Sequence, residues 1–125
     1  MSKKIVIYDK DPECLELFGE LLTQQGYKVL TISNFDILLD FLNNNPADII
    51  VSDAEILFHK NQSLLNQIKE KFNQVPVLYL SDKNQTKHLK NVLQIQQDRV
   101  IEKPVVFMNL IESVNREFNA LASLT

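Results

Sequence analysis

Short apolar runs alternate with segments of helical periodicity along the chain. Two of the runs, Ile49-Ile50-Val51 and Val77-Leu78-Tyr79-Leu80, are continuously apolar, which is typical of strands buried on both faces. Strands that alternate with helices favour a parallel sheet covered by helices. The pattern predicts five strands, at Lys4–Tyr8, Lys28–Ile32, Asp48–Ser52, Val75–Leu80 and Arg99–Ile101.

Five helices are predicted from apolar residues that recur every three or four positions. Asp11 is the predicted N-cap of the first helix, with Pro12 in its first turn and Gly26 just after its end. Ser33 and Asp36 resemble a capping box at the start of the second helix. The predicted apolar faces are Leu15, Phe18, Leu21 and Leu22; Phe35, Leu38, Leu39 and Leu42; Leu64, Leu65, Ile68 and Phe72; Leu89, Val92 and Leu93; and Leu110, Ile111, Val114, Phe118 and Leu121.

Length and composition favour one globular domain over residues 1–125. A chain of 125 residues with 45% apolar content can bury a core without disulfides or metal ions. The single cysteine, Cys14, has no internal partner and is predicted to be a packed or partly exposed thiol on the first helix. Because the sequence shows no signal peptide or apolar stretch of membrane-spanning length, we expect a cytoplasmic protein.

Charge and glycine content exclude several classes of ligand. The net charge of −3 gives no basic surface for direct binding of nucleic acid, and the two glycines are too few for a glycine-rich phosphate loop. A phosphate would therefore be held by side chains and isolated amides. His59 and His88 have no second ligand at a metal-binding spacing and are predicted to be solvent-exposed.

The residues at the predicted strand ends suggest phosphoryl chemistry. In parallel α/β sheets, ligands bind at the carboxyl ends of the strands. Asp53 is a carboxylate that could act as a nucleophile towards phosphorus, and Lys103 and Ser81 could stabilise the transferring group. The complete set of strand-end residues is Asp9, Lys10, Asp53, Ser81, Asp82, Lys103 and Pro104.

Four motifs in this order resemble those of receiver domains of two-component response regulators. They are KKIVIYDKDP, ADIIVSD, VPVLYLS and VIEKP, which contain the strand ends at Asp9, Asp53, Ser81 and Lys103. The resemblance covers essentially the whole chain. It implies a flavodoxin-like α/β fold with strand order 2-1-3-4-5, and a cis bond between Lys103 and Pro104.

The resemblance also implies roles and partners. Asp53 would accept a phosphoryl group from a histidine kinase or phosphotransfer protein, with Lys103 and Ser81 as the residues that hold this group. The residues that hold Mg²⁺ would be Asp9, which binds the metal through water, and Asp53. Glu55 is expected to be a charge on the pocket rim, although as an acid it could partly replace the ligand missing at Lys10. The implied output is contact with a downstream protein, or a homodimer, through helix 4, strand 5 and helix 5. No membrane binding is implied, and no enzymatic activity beyond self-catalysed transfer to Asp53.

Lys10 departs from the family pattern, because it stands where a direct metal ligand is expected. Two unit charges about 5 Å apart, at an effective dielectric constant of about 20, repel by roughly 3 kcal/mol, and a divalent ion is repelled about twice as strongly. The effect shrinks if the lysine extends into water. Alternatively, the ammonium pairs with Asp9 and Asp53 and fills the metal position. Weak or absent Mg²⁺ binding is predicted.

Other departures affect the predicted signalling surface and the pocket rim. Val100 stands at the aromatic switch position of the family, and Gln96-Gln97 replaces a pair of small residues. Asp82 adds a negative charge beside Ser81. Three hypotheses follow: a pseudo-receiver that acts as a docking module, which we favour; a conventional phosphorylatable switch; and a flavodoxin-like nucleotide binder, which the absence of a phosphate loop disfavours.

Overall fold

The structure is a computed structural model that describes residues 3–123. Its strands are β1 (Lys4–Tyr8), β2 (Lys28–Ile32), β3 (Ile49–Asp53), β4 (Val77–Ser81) and β5 (Val100–Glu102). They form a five-stranded parallel sheet in the order β2-β1-β3-β4-β5, which confirms the predicted fold class and strand order. The last three strands begin and end one or two residues later than predicted, because backbone pairing continues into the polar residue that follows each predicted end, at Asp53, Ser81 and Glu102.

The helices are α1 (Pro12–Gln24), α2 (Phe35–Asn44), α3 (Gln62–Phe72), α4 (Lys83–Asn91) and α5 (Phe107–Ser123), and short 3-10 turns span Ala54–Phe58 and Gln97–Arg99. Helices α1 and α5 pack on one face of the sheet, and α2, α3 and α4 pack on the other. None of the helices among residues 3–123 has the length and apolar content needed to cross a membrane.

The side chains of β1 alternate between the two faces of the sheet. Ile5 and Ile7 belong to the apolar cluster shared with α1 and α5, whereas Val6 and Tyr8 belong to the cluster shared with α2, α3 and α4. This alternation follows from the two-residue period of a strand. The central strands are buried on both faces, as their continuous apolar sequences predicted.

The predicted N-cap is confirmed for α1 and is wrong for α2. The Asp11 carboxylate caps α1 by accepting a hydrogen bond from the Glu13 N–H at 3.0 Å, as predicted. The capping box of Ser33 and Asp36 was wrong. Asn34 caps α2 instead, because it immediately precedes the first helical residue and its side-chain oxygen accepts from the Ile37 N–H at 3.1 Å.

Helix α4 ends earlier than the apolar spacing predicted. Leu89 is fully buried, but Val92 is the C-cap residue and is 63% exposed, so its predicted place on the buried face was wrong. The chain turns after α4 and Gln94 adopts a positive φ of 55°. Leu93 and Ile95 then pack on the core from the loop that follows the helix. The apolar residues are used in the core, although not on a helix.

Candidate functional site at the carboxyl edge of the sheet

The predicted pocket residues lie together at the carboxyl edge of the sheet. The strand register aligns Tyr8 with Ser52, one residue before Asp53, and aligns Ser81 with Glu102. The Lys103 N–H donates to the Ser81 carbonyl at 2.7 Å, and the peptide bond between Lys103 and Pro104 is cis. The side chains brought to this edge are those of Asp9, Asp53, Ser81 and Lys103.

Asp53 and Lys103 form an ion pair at the centre of this edge. The Lys103 ammonium donates to Oδ2 of Asp53 at 3.1 Å, and the Glu55 N–H donates to Oδ1 at 3.0 Å. Burial lowers the pKa of Lys103, but the hydrogen bond and charge of Asp53, with the charge of Asp9, outweigh it and raise the pKa above its ordinary value. The lysine therefore stays protonated and holds the carboxylate in a fixed orientation.

Asp9 is the most deeply buried acid of the site. Its side chain is 2% exposed, and its Oδ1 accepts from the Asp11 N–H at 2.9 Å. Its Oδ2 is buried and accepts no hydrogen bond from residues 3–123. Burial, followed by the charge of Asp9, raises the pKa of the neighbouring Cys14 thiol to about 12, so this half-buried cysteine stays protonated at neutral pH. Asp9 thus keeps one acceptor oxygen available to a cation.

Lys10 points into solvent and pairs with neither acid. Within residues 3–123, the ion pairs with N to O distances of 4.0 Å or less join Arg99 to Glu117, Lys103 to Asp53 and Arg116 to Asp98. The alternative in which Lys10 pairs with Asp9 and Asp53 is therefore wrong for this structure. Asp9 is buried and the next side chain emerges towards water, where a strongly hydrated ammonium is stable. Lys10 nevertheless lines the same cavity as Asp53.

Ser81 is fully buried, and its hydroxyl is already hydrogen-bonded. Its Oγ lies 2.5 Å from Oγ1 of Thr86, whose own hydroxyl donates to the Asp82 carbonyl at 2.9 Å. The Ser81 hydroxyl is therefore the donor to Thr86. Asp82 is the N-cap of α4 in a capping box with Gln85. A phosphoryl oxygen that recruits Ser81 must compete with the first turn of α4.

Thr86 was not recognised from the sequence as part of this site. It lies three residues before the buried Leu89, on the same face of α4, and this spacing is the signal that could have identified it. The hydrogen bond between Ser81 and Thr86 joins the end of β4 to α4. It does not involve position 100, where this chain has Val100 and the family pattern has an aromatic residue.

Replacing Thr86 by Val should destabilise the domain by about 1 to 3 kcal/mol, because the buried Ser81 hydroxyl loses its acceptor. Thr86→Ser retains the hydroxyl and should cost less than the Val variant. Urea unfolding followed by circular dichroism measures both values. Equal stability of the Val variant and the wild type would contradict a structural role for this hydrogen bond.

The loop after β3 holds Glu55 at the surface and His59 against the core. Glu55 is exposed, as expected of an acid on the pocket rim. The prediction that His59 is solvent-exposed was wrong: it is partly buried and its ring stacks on Phe35, with 4.3 Å between ring centroids. Its Nδ1 accepts from the Asn61 N–H at 3.1 Å. His88 is exposed, as predicted, and its ring lies 5.3 Å from that of Phe58.

The fold and this edge define a class of protein: an open parallel α/β domain with a carboxylate and a lysine paired at its strand ends. A family model, the response regulator receiver domain, matches residues 5–115. The chain belongs to this family.

Curated relatives are similar over most of this chain. The nisin biosynthesis regulatory protein NisR of Lactococcus lactis is 28% identical, over 91% of this chain and 49% of its own length. The response regulator GtcR of Aneurinibacillus migulanus is 27% identical, over 93% of this chain and 46% of its own length. The chain therefore spans about half the length of these relatives.

Solved receiver structures share the fold. The receiver domain of the Francisella response regulator 1452 superimposes with a TM-score of 0.79 and 22% identity, covering 96% of this chain and 99% of that one. A response regulator receiver domain from Clostridium thermocellum superimposes with a TM-score of 0.75 and 24% identity, covering 98% of this chain and 99% of that one. At these identities the likeness concerns the fold.

Receiver domains generally use Mg²⁺ at the phosphorylation site, and they interact with histidine kinases or phosphotransfer proteins and with downstream effectors. The buried free oxygen of Asp9 suits a cation. However, residues 3–123 contain no group of three or more His, Cys, Asp or Glu side chains that could hold a metal ion. Lys10, a cation, lines the cavity that Asp53 also lines.

Proposed function

We propose that this chain is a receiver that signals by protein contact, with Asp53 at the phosphoacceptor position and with weak affinity for Mg²⁺. The observation that carries the proposal is that Asp53 is paired with a lysine and lines a cavity that a second, exposed lysine also lines. Lys103 pairs with Asp53 at 3.1 Å, and Lys10 lines the adjoining cavity. Lys103 compensates the Asp53 charge without a divalent ion, while Lys10 repels such an ion by its charge.

A conventional phosphorylatable switch is the second candidate, and one observation favours it. The Asp53 side chain is 14% exposed and lines an open cavity, and Lys10 does not pair with it. In this candidate an Asp53 oxygen forms a bond to phosphorus as the bond from phosphorus to the leaving group breaks. Lys103 and Ser81 would then stabilise the equatorial oxygens, and Asp9 and Glu55 would help to hold Mg²⁺.

We also propose the partners and setting of the domain. The phosphoryl donor would be a histidine kinase or phosphotransfer protein, and a downstream protein would bind the surface of α4, β5 and α5, which is also the surface for a homodimer. On this surface Arg99, in the 3-10 turn just before β5, is joined to α5 by two hydrogen bonds to Glu117, at 2.9 and 3.2 Å. Residues 1–125 would act as one cytoplasmic domain.

Incubation with acetyl phosphate, followed by intact mass, distinguishes the two candidates. We expect at most a small phosphorylated fraction for the wild type with or without Mg²⁺, and Mg²⁺-dependent phosphorylation of Lys10→Asp. The combination of Lys10→Asp with Asp53→Asn should stay unmodified, which assigns the site. Stoichiometric phosphorylation of the wild type at Asp53 would refute the docking module and establish the conventional switch.

A further inference from the structure

Strand β2 is an outer strand of the sheet, and one of its two sides carries unpaired backbone groups. It pairs with β1 over five residues without a bulge. At its amino end the Lys28 N–H donates to the Lys3 carbonyl at 2.9 Å. Because the backbone groups of successive residues alternate in direction along a strand, the N–H and C=O groups of Val29 and Thr31 point away from β1. They are available to a further strand.

The middle of this edge lacks the features that usually prevent the addition of a strand. Natural edge strands are protected by proline, by bulges or by charged side chains such as lysine. The residues from Val29 to Thr31 are uncharged, and the charged residue of β2, Lys28, lies at its amino end. Leu30 is 39% exposed although it is a large apolar residue. The other outer strand, β5, has only three residues, so β2 is the longer of the two open edges.

A groove of about 440 Å³ lies beside this edge, between β2 and α1. Helix α1 packs closely on β2 because Gly19 has no side chain: a Cβ atom there would lie 2.9 Å from the methyl carbon of Thr31. Val29 and Thr31 line the groove from the strand, and Glu16 and Glu20 line it from the helix. The side chains of an added strand that point to this face of the sheet would therefore lie beside these two carboxylates.

The charge of the groove favours a basic partner over a second copy of this chain. Glu16 and Glu20 are exposed and are the charged residues of the lining. Neither takes part in an ion pair within residues 3–123. Helix α1 contains a further acid, Glu13, and no lysine or arginine from Pro12 to Gln24. Two copies paired through β2 would each contribute the same glutamates, and like charges brought together in this way repel.

We propose that the open edge of β2 binds an extended basic segment of a partner protein, which joins the sheet as an additional strand. The backbone of this segment would form hydrogen bonds with the outward N–H and C=O groups of Val29 and Thr31. Every second side chain would be a lysine or arginine that pairs with Glu16 or Glu20. The side chains between them would be apolar and would contact Leu30 on the opposite face of the sheet. This surface lies at the opposite edge from β5 and does not depend on phosphoryl transfer.

An acetylated and amidated peptide of alternating lysine and valine is a suitable probe. Its titration into the ¹⁵N-labelled domain should shift the amide resonances of β2 and α1 and saturate with a Kd of about 0.1 mM. Hydrogen exchange of the Val29 and Thr31 amides should slow in the complex, because both N–H groups become hydrogen-bonded.

Three matched peptides separate charge from backbone pairing. A peptide with glutamate in place of lysine should bind at least about tenfold more weakly, because its charge is reversed. Peptides that are N-methylated on every lysine or on every valine each block one hydrogen-bonding side of the added strand. One of these two should bind like the parent peptide, and the other at least about tenfold more weakly, because a strand pairs with β2 through one side only.

Substitutions in the domain test the groove and the strand edge separately. Glu16→Gln combined with Glu20→Gln keeps the shape of the groove and should weaken binding of the lysine peptide at least about tenfold. Glu70→Gln combined with Glu112→Gln is the matched control: it removes two exposed acids outside the groove and should leave Kd within about twofold. Thr31→Pro removes an outward N–H, which an edge strand tolerates, and should also weaken binding.

Several results would overturn the proposal. They are equal Kd values for the lysine and glutamate peptides, equal Kd values for the two N-methylated peptides, and unchanged hydrogen exchange at Val29 and Thr31 in the presence of the lysine peptide. Light scattering of the domain alone tests the rival occupant. Self-association that Thr31→Pro abolishes would assign this edge to a second copy of the chain instead.

Discussion

Replacing Lys10 by Asp is expected to raise the Mg²⁺ affinity of the domain about a hundredfold, with no saturation of the wild type at about 10 mM Mg²⁺. The substitution removes a cation from the pocket and adds a carboxylate next to Asp9, whose buried Oδ2 has no hydrogen-bond partner among the described residues. Because Lys10 is exposed, water screens its charge, and the gain should be smaller than unscreened repulsion would give. Isothermal titration calorimetry at constant ionic strength measures the affinity directly.

Two further variants show whether Mg²⁺ affinity depends on the position of the charge at the end of β1 or only on the total charge of the cavity. Lys60→Asp makes the same charge change in the lining of the same cavity, but away from the end of β1. We expect it to raise Mg²⁺ affinity much less than Lys10→Asp, and Lys10→Met to give an intermediate gain. Similar Mg²⁺ affinities for Lys60→Asp and Lys10→Asp would show that only the total charge of the cavity matters. This result would contradict the proposal that Lys10 prevents Mg²⁺ binding by its position at the end of β1.

The fold and the membership of the pocket could be predicted from sequence because both follow from simple periodicity. Apolar runs mark the strands, and parallel strands bring their carboxyl ends to one edge, so that Asp53 and Lys103 meet although they are 50 residues apart in sequence. The cap at Asp11 was equally local, since a carboxylate just before a proline-started helix reaches only the first-turn amides. The cap of α2 was misassigned because Ser33 and Asn34 are both good caps, and only the backbone decides between them.

The direction and partners of individual side chains could not be predicted from the pattern. Nothing in the sequence distinguishes a Lys10 that pairs with Asp53 from one that extends into water, because the outcome depends on how the chain leaves β1. The same holds for the hydroxyl of Tyr8, which the periodicity identifies as core although its polar end lines a cavity. The hydrophobic pattern therefore predicts whether a side chain is buried, but it does not predict which groups its polar atoms contact.

Replacing Lys103 by Met should destabilise the domain by about 2 to 3 kcal/mol at neutral pH, because Asp53 and Asp9 would lose their compensating cation. This value lies below that of a fully buried pair, since the Lys103 side chain is 38% exposed and water screens part of the interaction. Urea unfolding of the wild type and the variant gives the difference. Lys87→Met, an exposed lysine of α4, should change stability by no more than about 0.5 kcal/mol.

A double-mutant cycle shows whether the loss of stability in Lys103→Met arises because Asp53 and Asp9 lose their compensating cation. Asp53→Asn in the Lys103→Met background should recover most of the lost stability, because one uncompensated charge is removed while the shape is kept. The raised pKa of Lys103 also sets the sign of the pH dependence: its stabilisation is complete below about 10.5 and is lost as pH rises through the higher folded-state value. The wild type and Lys103→Met should therefore converge in stability only above pH 10.5. Additive effects of the two substitutions would contradict the pairing and assign the cost to lost packing of the lysine stem.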